Sequence, residues 1–217
     1  MAAPVLYTWP LQDLVALVNN IELGTGIRTF TFNGTLAPTG GTVTLPGISR
    51  KLSLYSASDL SGINFTITGV SGAGGSQPIV ETIAGPTAAA TIYTVNTFNY
   101  ISSITVNIDM TGHVNIGTGL VGYTNWQLFD WTVPNALLSV QAIVTGTINY
   151  TFESTSDNAL GLTNANINKF NTIADMIAAT TTLYRTLVDS PIFFCRIKIN
   201  SSDATGQLIT NIMQQGI

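Results

Sequence analysis

Two stretches of this chain carry the same period-two pattern. Residues 61–69 read SGINFTITG, with Ile63, Phe65 and Ile67 on alternate positions; residues 145–154 read TGTINYTFES, with Ile148, Tyr150 and Phe152. Asn64 and Thr66 of the first are answered by Asn149 and Thr151 of the second. Strict alternation turns one face of an extended strand toward a core and the other away from it. A chain that repeats such a strand is expected to repeat the sheet around it.

The flanking sequence extends the echo. LLSVQAIVTGTINYTFES (137–154) follows the plan of KLSLYSASDLSGINFTITG (51–69), and FFCRIKINSSDATGQLITNI (193–212) follows YISSITVNIDMTGHVNIGTG (100–119). Ile104, Val106 and Asn107 correspond to Ile197, Ile199 and Asn200, and Gly112 and Gly206 are expected to turn equivalent hairpins. Between the echoes, RTFTFNGTL (28–36), with its Asn33-Gly34 turn signal, and GGTVTLPGI read as further strands. Strands of five to eight residues punctuated by Gly, Pro and Asn predict an all-β fold: two tandem β-sandwich domains, Ig-like or jelly-roll-like, at 27–122 and 123–217.

Two segments stand outside the repeat. Residues 1–26 form an N-terminal arm, in which Leu11, Leu14, Val15 and Val18 have helical spacing while Pro4 and Pro10 favour an extended course. Residues 154–186 read as an insertion in the second domain. Ile173, Met176 and Ile177 there predict a short helix at 172–180, capped by Asn171 or Thr172. Long irregular insertions usually make contacts, so these apolar residues join the candidate interaction set.

Charge narrows the function classes. Of 217 residues 45% are apolar, but only 8% are charged, against the usual ~25%. The net charge of −4 is spread evenly: three basic and five acidic residues in 1–122, four and six in 123–217. No basic run could neutralise successive phosphates or an anionic membrane, which argues against direct nucleic-acid or membrane binding. No apolar run approaches the ~20 residues of a membrane span. MAAPVLYTWPLQDLVALV lacks the charged start and apolar run of a secretory signal, so synthesis in the cytoplasm is expected. A surface of Thr, Asn, Ser and Gly suits a protein packed against its own copies or a partner.

Catalytic chemistry finds little purchase. His113 is the sole histidine, in the turn MTGHVNI, with Asp109 as its nearest carboxylate in sequence. Asp109 and Asp203 precede equivalent Gly turns, where an Asp side chain accepts backbone amides. Cys195, the single cysteine, sits in IFFCRIKI and reads as a small buried residue. SGAGGS (71–76) is followed by a strand rather than a helix and a lysine, so it reads as a hairpin loop and not a phosphate loop. Asn33, Asn64, Asn149 and Asn200 begin Asn-x-Ser/Thr triplets, which a chain so rich in Asn and Thr supplies by chance. No catalytic group, metal ligand or cofactor is predicted.

Aromatic residues supply the remaining candidates. Trp126, Phe129 and Trp131 in YTNWQLFDWTVP, and Tyr7 and Trp9 in the arm, could stack on a sugar. Large aromatics at a domain boundary more often fill a seam or a subunit contact, and that reading is preferred. The interaction set is therefore Tyr7, Trp9, Leu11, Leu14, Trp126, Phe129, Trp131, Ile173, Met176 and Ile177.

Residues 54–107 resemble a recurrent module of tailed-bacteriophage virion proteins. The elements are Ser56-Ala57, Asp59-Leu60-Ser61, the strand Ile63–Gly69, the Gly-rich loop, Glu81, Gly85-Pro86, Phe98 and Ser103–Val106, closed by Gly112, Val114 and Gly117. VTGTINYTFEST (144–155) and the ending ITNIMQQGI are similar to the C-terminal part of such proteins. The resemblance covers most of residues 50–217. It implies a non-enzymatic structural protein of the virion: capsid decoration or cement, a collar or head–tail part, or a tail component. Its partners would be its own copies, as a homo-oligomer, and capsid, portal, neck or tail proteins. A carbohydrate-binding or receptor-binding module of a fibre or spike is the alternative.

Overall fold

The computed structural model describes residues 5–10, 12–26, 28–36, 41–72, 76–130, 137–170, 173–187, 192–203 and 205–215. The fold is all-β, built from antiparallel strand pairs in several sheets. The chain divides into two compact units: a first of residues 12–71 and 76–119, and a second of residues 1–11, 72–75 and 120–217.

In the first unit, β2 (Val18–Ile21) and β4 (Ile48–Ser56) flank β9 (Val114–Thr124), and β7 (Ala90–Tyr93) lies beyond β4. The other sheet runs β3 (Val43–Thr44), β8 (Tyr100–Val106), β5 (Asn64–Ser71), β6 (Gln77–Ala84). The alternation of SGINFTITG is realised in full: Phe65 and Ile67 are completely buried while Asn64 is exposed. Leu17, Phe30, Leu52, Leu54, Phe98 and Ile104 join them in one apolar core.

The second unit uses the same pairings. β1 (Val5–Trp9) and β11 (Leu137–Thr145) flank β15 (Gln207–Gln215), and β13 (Leu183–Leu187) lies beyond β11. The other sheet joins β10 (Gln127–Leu128), β14 (Phe194–Ser202) and β12 (Ile148–Thr155). The agreement reaches individual residues. Phe65 lies opposite Val106 and Ile67 opposite Ile104; at the echoed positions Tyr150 lies opposite Ile199 and Phe152 opposite Ile197. Thr29 bridges Thr105 in the first unit, and Tyr123 lies opposite Lys198 in the second. Because one residue of slip would turn every core side chain outward, matched apolar alternation enforces matched register.

Four expectations change. The turns at Gly112 and Gly206 do not close hairpins: β8 and β9 lie in different sheets, as do β14 and β15. Each turn carries the chain around a corner from one sheet to the other. The expected helix at 172–180 reduces to one 3-10 turn, Ala174–Met176: Ile177 is extended and Ala178 takes a positive φ of 53°. Its expected cap, Asn171 or Thr172, lies outside the described residues. RTFTFNGTL forms no continuous strand, only the bridge at Thr29, although Phe30 and Phe32 are buried. The arm, expected as one segment outside the domains, divides instead: residues 5–9 form a strand paired with β15 in the second unit, while residues 14–17 turn and bend and Ala16, Leu17 and Val18 are buried in succession in the first.

The insertion also proves to be part of the repeat. β6 runs along the free side of β5, with Ile83 opposite Phe65 and Ile79 opposite Gly69. In the second unit Ala179 bridges Tyr150 and Phe170 bridges Ser154, the two echoed positions. The segment therefore occupies the place of β6, swollen between its two bridges. It shields the outer edge of β12 from further pairing.

Candidate functional site

The aromatic stretch and the insertion meet at one place, beneath Arg196. β14 brings Arg196 into the second unit with its side chain fully buried. Its guanidinium carbon lies 3.9 Å from the Tyr123 ring centre and 4.2 Å from that of Trp126. Nε and Nη2 donate to Glu153 Oε2 at 2.8 and 2.6 Å, and Nη2 also donates to Asn164 Oδ1 at 2.8 Å. Burial pulls the Arg196 guanidinium below its usual range, and the Glu153 carboxylate works against that shift. A desolvated cation held this way is tied by charge-assisted bonds and by ring quadrupoles at once.

Trp126 is 7% exposed and forms a cluster with Ala159, Ile167 and Phe194, against which Leu162 and Phe193 pack. A sugar cannot stack on the ring face that Arg196 covers. Phe129 is likewise buried, its N–H donating to Phe193 O at 2.8 Å. Trp126 therefore belongs to a satellite core that holds the insertion to β14, a role for which the sequence offered no direct signal. Arg196, Glu153 and Asn164 were absent from the candidate set because an isolated Arg-Glu pair forty-three positions apart has no spacing signature.

The insertion's hydroxyl and amide contacts explain why the second copy of the repeat is buried on both faces. Ala178 N–H donates to Thr151 Oγ1 at 3.0 Å, Asn149 Nδ2 donates to Ala178 O at 2.8 Å, and the Tyr150 hydroxyl donates to Thr181 O at 2.9 Å. Burial pushes the Tyr150 hydroxyl up to about 12, with the Arg185 charge opposing. Ile173 and Met176 are buried, whereas Ile177 is 48% exposed.

In the arm, Tyr7 lies opposite Thr210 and Trp9 opposite Leu208 in the ladder, and the Trp9 side chain is buried. Leu14 is exposed in the first unit. Leu11 and Trp131 lie outside the described residues. Of the ten predicted interaction residues, Leu14 and Ile177 are thus apolar side chains open to solvent, while Trp9, Trp126, Phe129, Ile173 and Met176 are buried in their own chain.

The polar candidates separate as well. Asp109 does not face His113: its Oδ1 accepts from Gly26 N–H at 3.0 Å and pairs with Arg28 Nη2 at 3.0 Å. His113 Nε2 instead lies 3.9 Å from Glu22 Oε2, beyond hydrogen-bond reach, with both side chains about half exposed. Asp203 does accept the Thr205 amide at 2.8 Å and its hydroxyl at 2.7 Å, and these bonds hold its carboxyl below the usual range. The Cys195 thiol is buried and pushed well up by desolvation, the opposite of an activated nucleophile. Glu81 is a clamp: Oε1 accepts from Val95 N–H at 2.6 Å and Oε2 from Asn96 N–H at 2.9 Å.

A half-open cleft of about 180 Å³ in the first unit is lined by Asn20, Tyr55, Ser56, Ser58, His113 and Asn115. It presents amides, hydroxyls and one imidazole, which suits a small neutral hydroxylated ligand better than a charged one. Among the described residues no cluster of three or more His, Cys, Asp or Glu could hold a metal ion. No helix among them is long and apolar enough to cross a membrane. Comparison with protein-family models and with curated proteins returned no match.

Proposed function

We propose that this chain is a non-enzymatic structural protein of a bacteriophage particle, built as two tandem β-sandwich domains of Ig-like or jelly-roll-like type. It binds copies of itself and capsid, neck or tail proteins through its arm, loops and strand edges, in a decoration, cement, collar or head–tail role. The observation that carries this reading is where the charge lies. In the sheets β1–β15–β11–β13 and β3–β8–β5–β6, the charged residues within described strands are Glu81 and Arg185, opposite the buried Ile67 and Val140. The opposite register positions carry residues such as Thr66, Thr82, Val80, Gln141, Ile143 and Ile209, with Val80 65% exposed. Broad neutral sheet faces are costly for a solitary soluble chain and well suited to repeated contact. The sequence resemblance supplies the particle in which that contact takes place.

The second reading, a carbohydrate-binding or receptor-binding module, draws support from the cleft beside Tyr55 rather than from Trp126. Affinity-tagged chain expressed during infection decides between them. The structural reading expects it in purified particles at many copies each; its absence there, with the purified chain monomeric at every concentration, overturns that reading. Glycan-array binding abolished by Tyr55→Ala would favour the second.

A further inference from the structure

The two units differ in where one strand comes from. In the first, the place beside β9 is taken by β2, which directly precedes the rest of that unit in the chain. In the second, the equivalent place beside β15 is taken by β1. The chain directly preceding the second unit cannot fill it, because those residues are the first half of β9, whose Val114 and Ile116 already pair with β2. The second unit is therefore a sandwich without a first strand directly before it in the chain, completed by residues 5–9, which precede the first unit in sequence.

We propose that in the assembled state Val5–Trp9 of one copy completes the β15 edge of a neighbouring copy. The five residue pairs from Val5↔Ile212 to Trp9↔Leu208 are the same whether strand and edge belong to one chain or two. Exchange then costs no ladder contact, and only the hinge and the local concentration decide the outcome. The hinge is short: Pro10, Leu11 and Gln12 separate Trp9 from Asp13. Asp13 is already fixed, its carbonyl accepting from Thr118 N–H at 2.8 Å and its N–H donating to Thr118 Oγ1 at 3.1 Å. Short hinges, and proline hinges above all, favour exchange over closure on the same chain. In a particle, neighbouring arms reach the ~mM effective concentration that a short linker gives within one chain. Without an arm, β15 would offer a nine-residue open edge over the buried Leu208 and Ile212. This inference rests on the assembly reading and names the element that links the copies.

Thr8 and Ile209 lie directly opposite each other, and both side chains are exposed. Directly opposed antiparallel residues are close enough for a disulfide, and the buried Cys195 does not compete. Chains carrying Thr8→Cys and chains carrying Ile209→Cys are unfolded, mixed in equal amounts, refolded, concentrated until they associate, and oxidised. Exchange predicts covalent dimers in the mixture, at roughly a quarter of all arm–sheet junctions if pairing is random. The double variant, refolded alone, should give covalent multimers. If the double variant yields only cross-linked monomer and the mixture yields none, while sedimentation still shows association, exchange is overturned and the assembly reading stands. If the chain does not associate at any concentration, both fall. Leu6→Cys with Asn211→Cys, two positions along the ladder, serves should either first variant misfold.

Discussion

Replacing Arg196 by Met tests whether the satellite core is held by charge or by packing. Methionine keeps the aliphatic stem but removes the two bonds to Glu153 and the bond to Asn164. It leaves Glu153, only 8% exposed, without its cation. Stranding one member of a buried ion pair costs about 3–5 kcal/mol. Loss of the stacking on Tyr123 and Trp126 adds about 1 kcal/mol, part of which the Met thioether restores against the rings. The expected loss is therefore about 4 kcal/mol, a large share of the ~5–15 kcal/mol that holds a typical domain. Removing both charges with Arg196→Met and Glu153→Leu should cost much less, about 1–2 kcal/mol, because no buried charge is left alone. Urea denaturation followed by tryptophan fluorescence reports on the relevant unit, since Trp9 and Trp126 both belong to it and are buried there. Hydrogen exchange should show amides of residues 157–168 losing protection first, because Asn164 and Ile167 are joined to β14 through this cluster. A loss below about 1 kcal/mol for Arg196→Met, or strict additivity of the two substitutions, would refute the argument.

Two further tests probe other links. A Cβ on Gly117 would lie 2.0 Å from Asp13 O, a backbone atom, so Gly117→Ala should destabilise the first unit by about 3 kcal/mol or more, whereas Gly161→Ala, whose nearest neighbour is 3.5 Å away, should stay within about 0.5 kcal/mol of wild type by thermal melting. Tyr150 has its folded-state hydroxyl raised from 10.0 to about 12, so its neutral form contributes stability that is fully present below pH 10 and lost as pH rises through about 12. Tyr150→Phe should cost about 1 kcal/mol at neutral pH through the bond to Thr181 O, and a pH series of urea midpoints should show a shallower decline above pH 10 than wild type.

Some of this protein was written locally and some was not. The alternation of Ile63, Phe65 and Ile67 and its echo at Ile148, Tyr150 and Phe152 determined the strands, their buried faces and, through the matched partners Ile104 and Ile197, even their register. That much is local because side-chain period and burial are coupled one residue at a time. The turns at Gly112 and Gly206 were readable as turns but not as corners: which sheet a strand joins depends on partners many residues away. The same limit hid the role of the insertion. Nothing in residues 154–186 resembles QPIVETIA of β6, yet Phe170 and Ala179 take up its bridges because β12 presents a free edge there. Trp126 and Trp9 were visible as large aromatics, but only packing decided that Arg196 would cover one and Leu208 would face the other across the ladder. Sequence alone settled the vocabulary of strands, the echoed strand pattern and the scarcity of charge. Tertiary structure decided which edges are closed, by what, and from how far along the chain, because edge pairing is a long-range contact that no local pattern encodes.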